Sequence, residues 1–469
     1  MTTPVVGDQA LVLSGHPLQR CGGWALTLLA GRDDAGSVSA ADIEDVAERV
    51  IDDVVAAATA AKDSPTYDWW KVLFALYPNS KPTHAKRPRE SAVLRESVAE
   101  LFAPDDPRSP LLPCTFCSRW CGTLWSKSVL PMFESIRALN TLPPGVAGWP
   151  ICRACRVALW ALPYAAWVTA GSATVLTCDD PAVERDFAMK NVQRSGRIRQ
   201  LGFVSLPAGR GPEAVVLQAL REHAGDAGGA TTLWAFKNDN QEPWLHTAST
   251  RLGVARFLRA VRANPDCHRG WAMLKKMMRR RDGSGALVLD GSTAAARLLF
   301  DREGHQGERL PAKLMELARD PDALFQHTLL DWRALCRLYL EVMYDMETAR
   351  LRPAASLLAD WIAKEGTRGR FNEFRQAVTS PYNLSKLLMT ASARLFLDGG
   401  KQEPVNHQFA QLCTDGPQGW RVRGQLYFDV MAELINRGVQ VGKPGSEELS
   451  EADDADQRPG TDDDEDGYA

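Results

Sequence analysis

Two cysteine pairs, Cys114-Thr-Phe-Cys117 and Cys152-Arg-Ala-Cys155, limit what this chain can fold into more than any other feature. Each C-x-x-C lets two thiolates converge on one soft cation, and two pairs complete a tetrahedral all-cysteine site. The pairs stand 34 residues apart on either side of a Trp-, Pro- and Gly-marked segment. That gap is longer than the roughly 15–20 residues of a compact zinc ribbon, so the site would clip a sub-domain together rather than build a minimal finger. Four thiolates leave no open position for water, so the expected zinc is structural. Two other readings stay open. A redox C-x-x-C is usually single and sits at a strand-to-helix junction. A secreted disulfide scaffold would be denser in cysteine than ten in 469 residues, and no apolar signal segment follows Met1. Cys121 lies beside the first pair and is a spare ligand; Cys21, Cys178, Cys267, Cys336 and Cys413 are isolated and read as packing residues.

The net charge of −3 conceals two opposite parts. Residues 446–469 hold 11 acidic side chains against the single Arg458, which leaves 54 basic against 47 acidic residues, +7, for the remainder. A block such as Asp462-Asp463-Asp464-Glu465-Asp466 cannot collapse, and a disordered acidic tail is expected there. The 469 residues suffice for two or three cores at about 150 each. No apolar run approaches the roughly 20 residues of a membrane span, and a cytoplasmic protein is the expectation.

Along the chain, Ser39 and Asp42 form a capping pattern ahead of Ile43, Val46, Ala47, Val50 and Val54, which keep helical spacing. Pro78-Asn79-Ser80-Lys81-Pro82 reads as a polar loop, followed by the basic run Lys86-Arg87-Pro88-Arg89 and a helix over about 91–102. Strands are expected at 171–178, 231–236 and 287–289, and a helix over 181–191. Beyond Pro311 the spacing of Leu314, Leu317, Leu324, Leu329, Trp332 and Leu335 turns helical, with further helices near 354–364, 371–378, 384–397 and 419–435. The expected fold is α+β: an N-terminal α+β part over 1–110, a zinc-binding sub-domain over 111–180, and a mixed part over 181–305. A C-terminal helical bundle over 306–440 and the tail follow, with the main boundary near 300–315.

No phosphate-binding G-x-x-x-x-G-K-[ST], dinucleotide G-x-G-x-x-G, H-E-x-x-H or G-x-S-x-G sequence is present. Asp266-Cys267-His268 reads as a polar loop triplet, and no catalytic constellation stands out. Basic residues cluster instead. Lys275/Arg279 and Lys276/Arg280 are i,i+4 pairs that a single helix would place on one face, where a phosphate backbone would relieve their repulsion. Arg194, Arg197 and Arg199, and Arg368, Arg370 and Arg375, are further clusters, each of which could equally be a solvated face. Three clusters on a basic body favour a nucleic-acid partner. Trp69-Trp70 could stack on bases, although core packing is the commoner fate of such a pair.

The opening Ser14-Gly15-His16-Pro17-Leu18 with Ala25-Leu-Thr-Leu-Leu-Ala-Gly31 resembles the start of the large subunit of type I-B CRISPR surveillance complexes (Cascade). Tyr77-Pro-Asn-Ser-Lys-Pro82 is similar to that family's Asn-Ser segment. Cys114, Cys117, Cys121-Gly122 and Gly148-Trp-Pro-Ile-Cys-Arg-Ala-Cys155 resemble its zinc-binding region. The apolar run 158–164 and Asp179-Asp180-Pro181 fit as well, so the likeness spans roughly 12–200. His16 and Cys21-Gly22-Gly23 depart from the family's opening pattern.

The resemblance implies a non-catalytic subunit of antiviral defence. Its partners would be guide RNA, target double-stranded DNA, the backbone and small subunits, and a recruited helicase-nuclease. It would read the short motif flanking the target (PAM) and promote R-loop formation, while base pairing supplies sequence. Asn79, Ser80 and Lys81 would then lie near the flanking duplex, and Lys275, Lys276, Arg279 and Arg280 would contact phosphates. The helical bundle would resemble the small subunit, which such systems can make by internal initiation, here at Met315, Met343 or Met346. The alternatives are a stand-alone zinc-containing DNA-binding protein, a nuclease with an unrecognised site, and the equivalent targeting subunit of a CRISPR-associated transposon.

Overall fold

The computed structural model describes residues 11–105, 109–131, 148–223, 230–238, 242–302, 309–318, 324–364, 368–399, 412–413 and 417–439. The acidic tail expected at 446–469 lies outside the described residues. The structure is a mixture of helices and strands in which helix predominates. It divides into two compact units, 1–255 with 280–305 and 256–279 with 306–469. The sequence suggested one cut near 300–315. The chain in fact crosses between units three times, because 256–279 is counted with the C-terminal helices. No helix among the described residues is long and apolar enough to cross a membrane.

In the first unit the helices are α1 (Pro17–Leu29), α2 (Ala40–Thr59), α3 (Pro65–Leu76), α4 (Ser91–Ala99), α5 (Arg153–Ala165), α6 (Pro181–Leu201), α7 (Pro212–His223) and α10 (Gly291–Arg297). Between α7 and α10 lie α8 (Val254–Ala263), which begins at the end of this unit, and α9 (Pro265–Met277), which belongs to the other. The capping pattern read at Ser39 is realised as a reciprocal box: the Asp42 amide donates to Ser39 Oγ at 3.2 Å, and the Ser39 amide donates to the Asp42 carboxylate at 2.8 Å. Proline opens α1, α3 and α6, where its missing N–H costs nothing. α6 continues ten residues past the expected 191 before Gly202, at φ 76°, ends it.

The centre of this unit is α5. Every residue from Ala154 to Ala165 is buried, Arg156 included, so the helix is enclosed all round, with α1, α2, α3 and α6 against it. α1 lies closest. A Cβ on Gly22 would sit 2.0 Å from the Ala158 carbonyl oxygen, so the lack of a side chain at position 22 is what lets the two backbones approach. His16 caps α1: its Nδ1 accepts from the Leu18 amide at 3.3 Å.

The sheet is antiparallel with strand order β11-β8-β7-β6-β5, where β5 is Trp167–Val168, β6 Ala173–Cys178, β7 Thr231–Lys237, β8 Trp244–Thr250 and β11 Phe300–Arg302. β6 and β7 are the strands expected from sequence, paired from Ala173↔Phe236 to Cys178↔Thr231. The third expected strand, β10 (Leu287–Leu289), is not in this sheet; it pairs with β9 (Arg280–Arg281) in a separate hairpin. Two further short ladders occupy the cysteine region, β1 (Leu112–Pro113) with β2 (Trp120–Cys121) and β3 (Leu124–Trp125) with β4 (Trp149–Pro150).

The described part of the second unit is helical: α9, α11 (Arg309–Leu317), α12 (Gln326–Tyr344), α13 (Arg352–Ala363), α14 (Gly369–Ala377), α15 (Pro381–Leu397) and α16 (Pro417–Asn436), with α8 from residue 256. α16 packs on α12 and α13, and α12 on α9. Trp332 is fully buried and its indole N–H donates to the Gly270 carbonyl at 3.1 Å, while Arg269 forks onto Asp331 at 2.8 and 3.1 Å. Asp266-Cys267-His268 is therefore not a loop triplet. Asn264 caps α9, Pro265 opens it, and the triplet forms its first turn.

Replacing Gly22 by Ala is expected to destabilise the chain by about 1–3 kcal/mol or more, because the new methyl meets backbone that cannot rotate away. Gly196→Ala, in the interior of α6 with open space around it, is expected to stabilise by about 0.5–1 kcal/mol. Denaturant unfolding of both variants reads the contrast.

Candidate metal centre

The four cysteines that the sequence paired come together. The sulfurs of Cys114, Cys117, Cys152 and Cys155 all lie within 4.8 Å of one another, and Cys117 and Cys152 approach to 3.5 Å. A tetrahedral ion at a metal–sulfur distance of about 2.3 Å sets its sulfurs about 3.8 Å apart, so the cluster fits one metal ion with four thiolate ligands. Three of the four residues are buried and Cys117 is half-buried.

Local structure explains the convergence. The first pair occupies the tight connection between β1 and β2, where the Ser118 amide donates to the Cys114 carbonyl at 2.9 Å and Ser118 takes a left-handed φ of 61°. The Cys114 amide closes the knuckle on the Arg119 carbonyl at 2.7 Å. The second pair opens α5, with Cys152 as its N-cap. The two are joined through β3–β4 and through the Thr115 amide on the Pro150 carbonyl at 2.8 Å. The unpaired amides and positive end of a helix favour thiolate at the second pair. The side-chain amide of Gln19 donates to Cys155 Sγ at 3.6 Å and to the Val12 carbonyl at 2.8 Å, which ties the centre to the start of α1.

Electrostatics make the cluster a shared proton system. Hydrogen bonds from Cys117, Cys152 and Cys155 pull Cys114 far below the ordinary thiol value. Donation to Cys114 pushes Cys152 and Cys155 well above it, with burial adding to the rise. Four neighbouring thiols cannot all ionise without a cation between them, and a divalent ion removes that conflict. Cys121 is not part of the group. It is fully buried, bonded to the Leu112 carbonyl at 3.5 Å, and burial raises its thiol to about 12. It is a packing residue rather than a spare ligand.

Two arginines beside the cysteines carry a structural role that the sequence did not disclose. Arg156 is 1 % exposed and grips the preceding segment through Asp105 at 3.0 Å and the Leu101 and Ala103 carbonyls at 2.7 and 2.9 Å. Arg153 donates to the Phe102 carbonyl at 2.6 Å and pairs with Glu44. Together they fasten 101–105 to the metal-proximal turn of α5. A third unforeseen group is Glu184, which is buried and accepts from Arg20 at 2.7 Å, the Trp24 indole at 3.0 Å and the Cys178 amide at 2.9 Å. Only its position in the first turn of α6 was visible beforehand.

The expected DNA-binding residues fare differently. Asn79 and Lys81 are exposed in the turn after α3. Ser80 is 1 % exposed with its hydroxyl on Thr83 Oγ1 at 2.8 Å, so it holds the turn together and does not face a ligand. Lys275, Lys276, Arg279 and Arg280 do not share a helix face. α9 ends at Met277, and Arg280 begins β9, because the chain leaves the helical unit there. Lys276, Arg279 and Arg280 are exposed and have no carboxylate partner among the described residues.

The other arginine clusters are largely absorbed by the fold. Arg194 lies 4.0 Å over the Trp167 ring and donates to the Val168 carbonyl at 2.7 Å, and Arg199 pairs with Asp53. Arg370 donates to the Trp361 carbonyl at 2.7 Å. Asp186, Glu222 and His223 also lie close together, but the Lys190 ammonium sits 2.5 Å from Asp186 and 3.7 Å from Glu222, and Arg221 lies 3.4 Å from Glu222, so the carboxylates are already ion-paired.

No family model, curated protein or solved structure matches the chain.

Stripping metal with a strong chelator is expected to lower the melting temperature sharply. Cys155→Ala should remove bound metal, measured by elemental analysis, and give the same low melting temperature with or without chelator. Arg156→Ala, which leaves Asp105 buried without its partner, is expected to cost about 3–5 kcal/mol in unfolding experiments while metal content is retained.

Proposed function

We propose that the chain is the non-catalytic large subunit of a CRISPR RNA-guided DNA surveillance complex of the type I-B Cascade kind. The observation that carries this reading is the four-thiol cluster. All four positions around an ion are filled by protein sulfur, which leaves none for a reacting water, and the cluster lies within the stretch whose sequence is similar to that family. The ion is zinc, whose indifference to ligand-field geometry and affinity for thiolate suit a buried tetrahedral site of four cysteines. It supplies no reaction; it locks the β1–β2 knuckle to the N-terminus of α5.

In this reading the first unit recognises the duplex beside the target. Asn79 and Lys81 are the side chains of the turn after α3 that can reach a groove, since Ser80 points inward. Lys276, Arg279 and Arg280 supply phosphate contacts from the junction where the chain leaves α9 for β9. The second unit corresponds to a helical bundle of the small-subunit kind. Of the three internal starts, Met315 keeps all of α12 to α16, whereas Met343 and Met346 lie at or beyond the end of α12 and would discard the helix that carries Trp332. Each of the three products lacks α9, so a separately made small subunit would expose the face of α12 that α9 covers.

Expressed beside its neighbouring genes, the tagged chain is expected to bring down guide RNA and several copies of a backbone subunit. A chain that binds duplex DNA alone and recovers no RNA would instead be a free-standing DNA-binding protein, and metal-dependent cleavage by the purified chain would make it a nuclease. In the assembled complex, exchanging Lys276, Arg279 and Arg280 for Ala should flatten the dependence of log affinity on log salt by up to about 2.7, roughly 0.9 per lost phosphate contact. An unchanged slope would remove these residues from the interface.

A further inference from the structure

The Trp69-Trp70 pair is split by α3. Trp69 is 1 % exposed and packs in the core with Val72, Leu73 and Leu76. Trp70 faces the other way. Its ring stacks on Tyr67 at 5.0 Å and 19° and on Phe74 at 5.3 Å and 27°, so positions 67, 70 and 74 form a ladder of near-parallel rings along the outer face of the helix. Tyr67 and Trp70 are half-buried, and Phe74, at the end of the ladder, is 40 % exposed.

The turn that follows α3 folds back over this ladder. The Trp70 indole N–H donates to the Pro82 carbonyl at 3.4 Å, and the Arg87 guanidinium lies 4.1 Å from the Trp70 ring centre. Arg87 is 6 % exposed, donates to the Ala58 carbonyl at 2.9 Å, and leaves one terminal nitrogen without an acceptor among the described residues. With its nitrogens shielded from solvent, Arg87 braces the turn against the ladder rather than facing a ligand. Lys71, on the same helix, is already held by Asp68 at 2.7 Å. Lys81, Lys86 and Arg89 are exposed and have no carboxylate partner among the described residues. Glu96 and Glu100 share a cleft with Lys81 but do not pair with it.

We infer that the Tyr67–Trp70–Phe74 ladder with the basic turn 81–89 is a binding site for single-stranded nucleic acid. Unpaired bases extend the stack from the open face of Phe74, and Lys81, Lys86 and Arg89 follow the phosphates. Two features select this ligand. Parallel rings ending at an exposed residue accept another flat ring, and exposed cations without a direct carboxylate partner beside them favour an anion. Duplex DNA meets only the second, because its bases are stacked on each other. The site does not depend on the complex proposed above, although it gives that complex a place to hold a displaced strand.

The test uses the full purified chain and fluorescently labelled oligothymidylate and oligouridylate of about 20 nucleotides, with a duplex of equal length as competitor. Wild type is expected to bind a single strand in preference to the duplex, and binding of either the DNA or the RNA strand supports the site. Phe74→Ala should weaken binding about tenfold and Phe74→Trp should restore it, since stacking and not merely apolar area is at stake. Changing Lys81, Lys86 and Arg89 to Ala should flatten the salt dependence by about 2, at roughly 0.7 per contact. The inference is overturned if wild type binds neither strand, or if Phe74→Ala binds as wild type does. Guide-RNA co-purification with the Phe74→Ala chain separates the two proposals: an intact complex with unchanged single-strand affinity sinks the ladder alone, whereas ladder-dependent binding without guide RNA sinks the complex alone.

Discussion

The close approach of α1 to α5 at Gly22 and Ala158 is the contact on which the first unit depends. A helix buried on every side must satisfy its ends and its few polar side chains and still admit its neighbours. α5 does so by meeting α1 backbone to backbone and by putting its N-terminal turn among four thiols and two arginines. The helix end that would otherwise be a buried cluster of unsatisfied donors becomes the half of a metal centre that favours negative sulfur. Gln19, one turn before Gly22 on α1, reaches the Cys155 sulfur, so the α1–α5 packing and one position of the cysteine cluster are set by the same pair of elements.

What the sequence disclosed follows a physical division. The capping box at Ser39, the strands at 173–178 and 231–237 and the convergence of four cysteines each rest on residues close in sequence or on a spacing with few solutions, and all are present. The failures are tertiary. β8 is polar, Trp-Leu-His-Thr-Ala-Ser-Thr, and becomes a strand because its backbone completes β7 on one side and β11 on the other. The basic run at 275–281 kept helical spacing, yet the helix stops at Met277 because the chain passes from one unit to the other. Nothing in the spacing of charges encodes that departure.

Arginine illustrates the same limit. Counted in the sequence, Arg156, Arg194, Arg199 and Arg370 belong to a basic surface. In the fold Arg156 is buried and the other three are half-buried, and all four act as braces that stack on rings or hold carbonyls and carboxylates. A guanidinium can be buried at tolerable cost when its fork is filled, so a basic residue count overstates the charge offered to a partner. The positive surface that remains in the first unit is narrower than the composition suggested, and Lys81, Lys86 and Arg89 are among its members.

This narrowing connects the metal centre to the outer face of α3. Tyr77, the C-cap of α3, stacks on Trp160 of α5 at 4.3 Å and 9°, and its hydroxyl donates to the Leu159 carbonyl at 2.5 Å. The turn after it is closed by Ser80 and Thr83 and carries Arg87 back over Trp70. An unbroken series of contacts therefore runs from the sulfurs at one end of α5, through Trp160 and Tyr77, to the exposed aromatic ladder. An ion held by all four cysteines would hold rigid the helix against which the turn is registered, and under the proposed binding of a single strand such preorganisation would reduce the entropy lost.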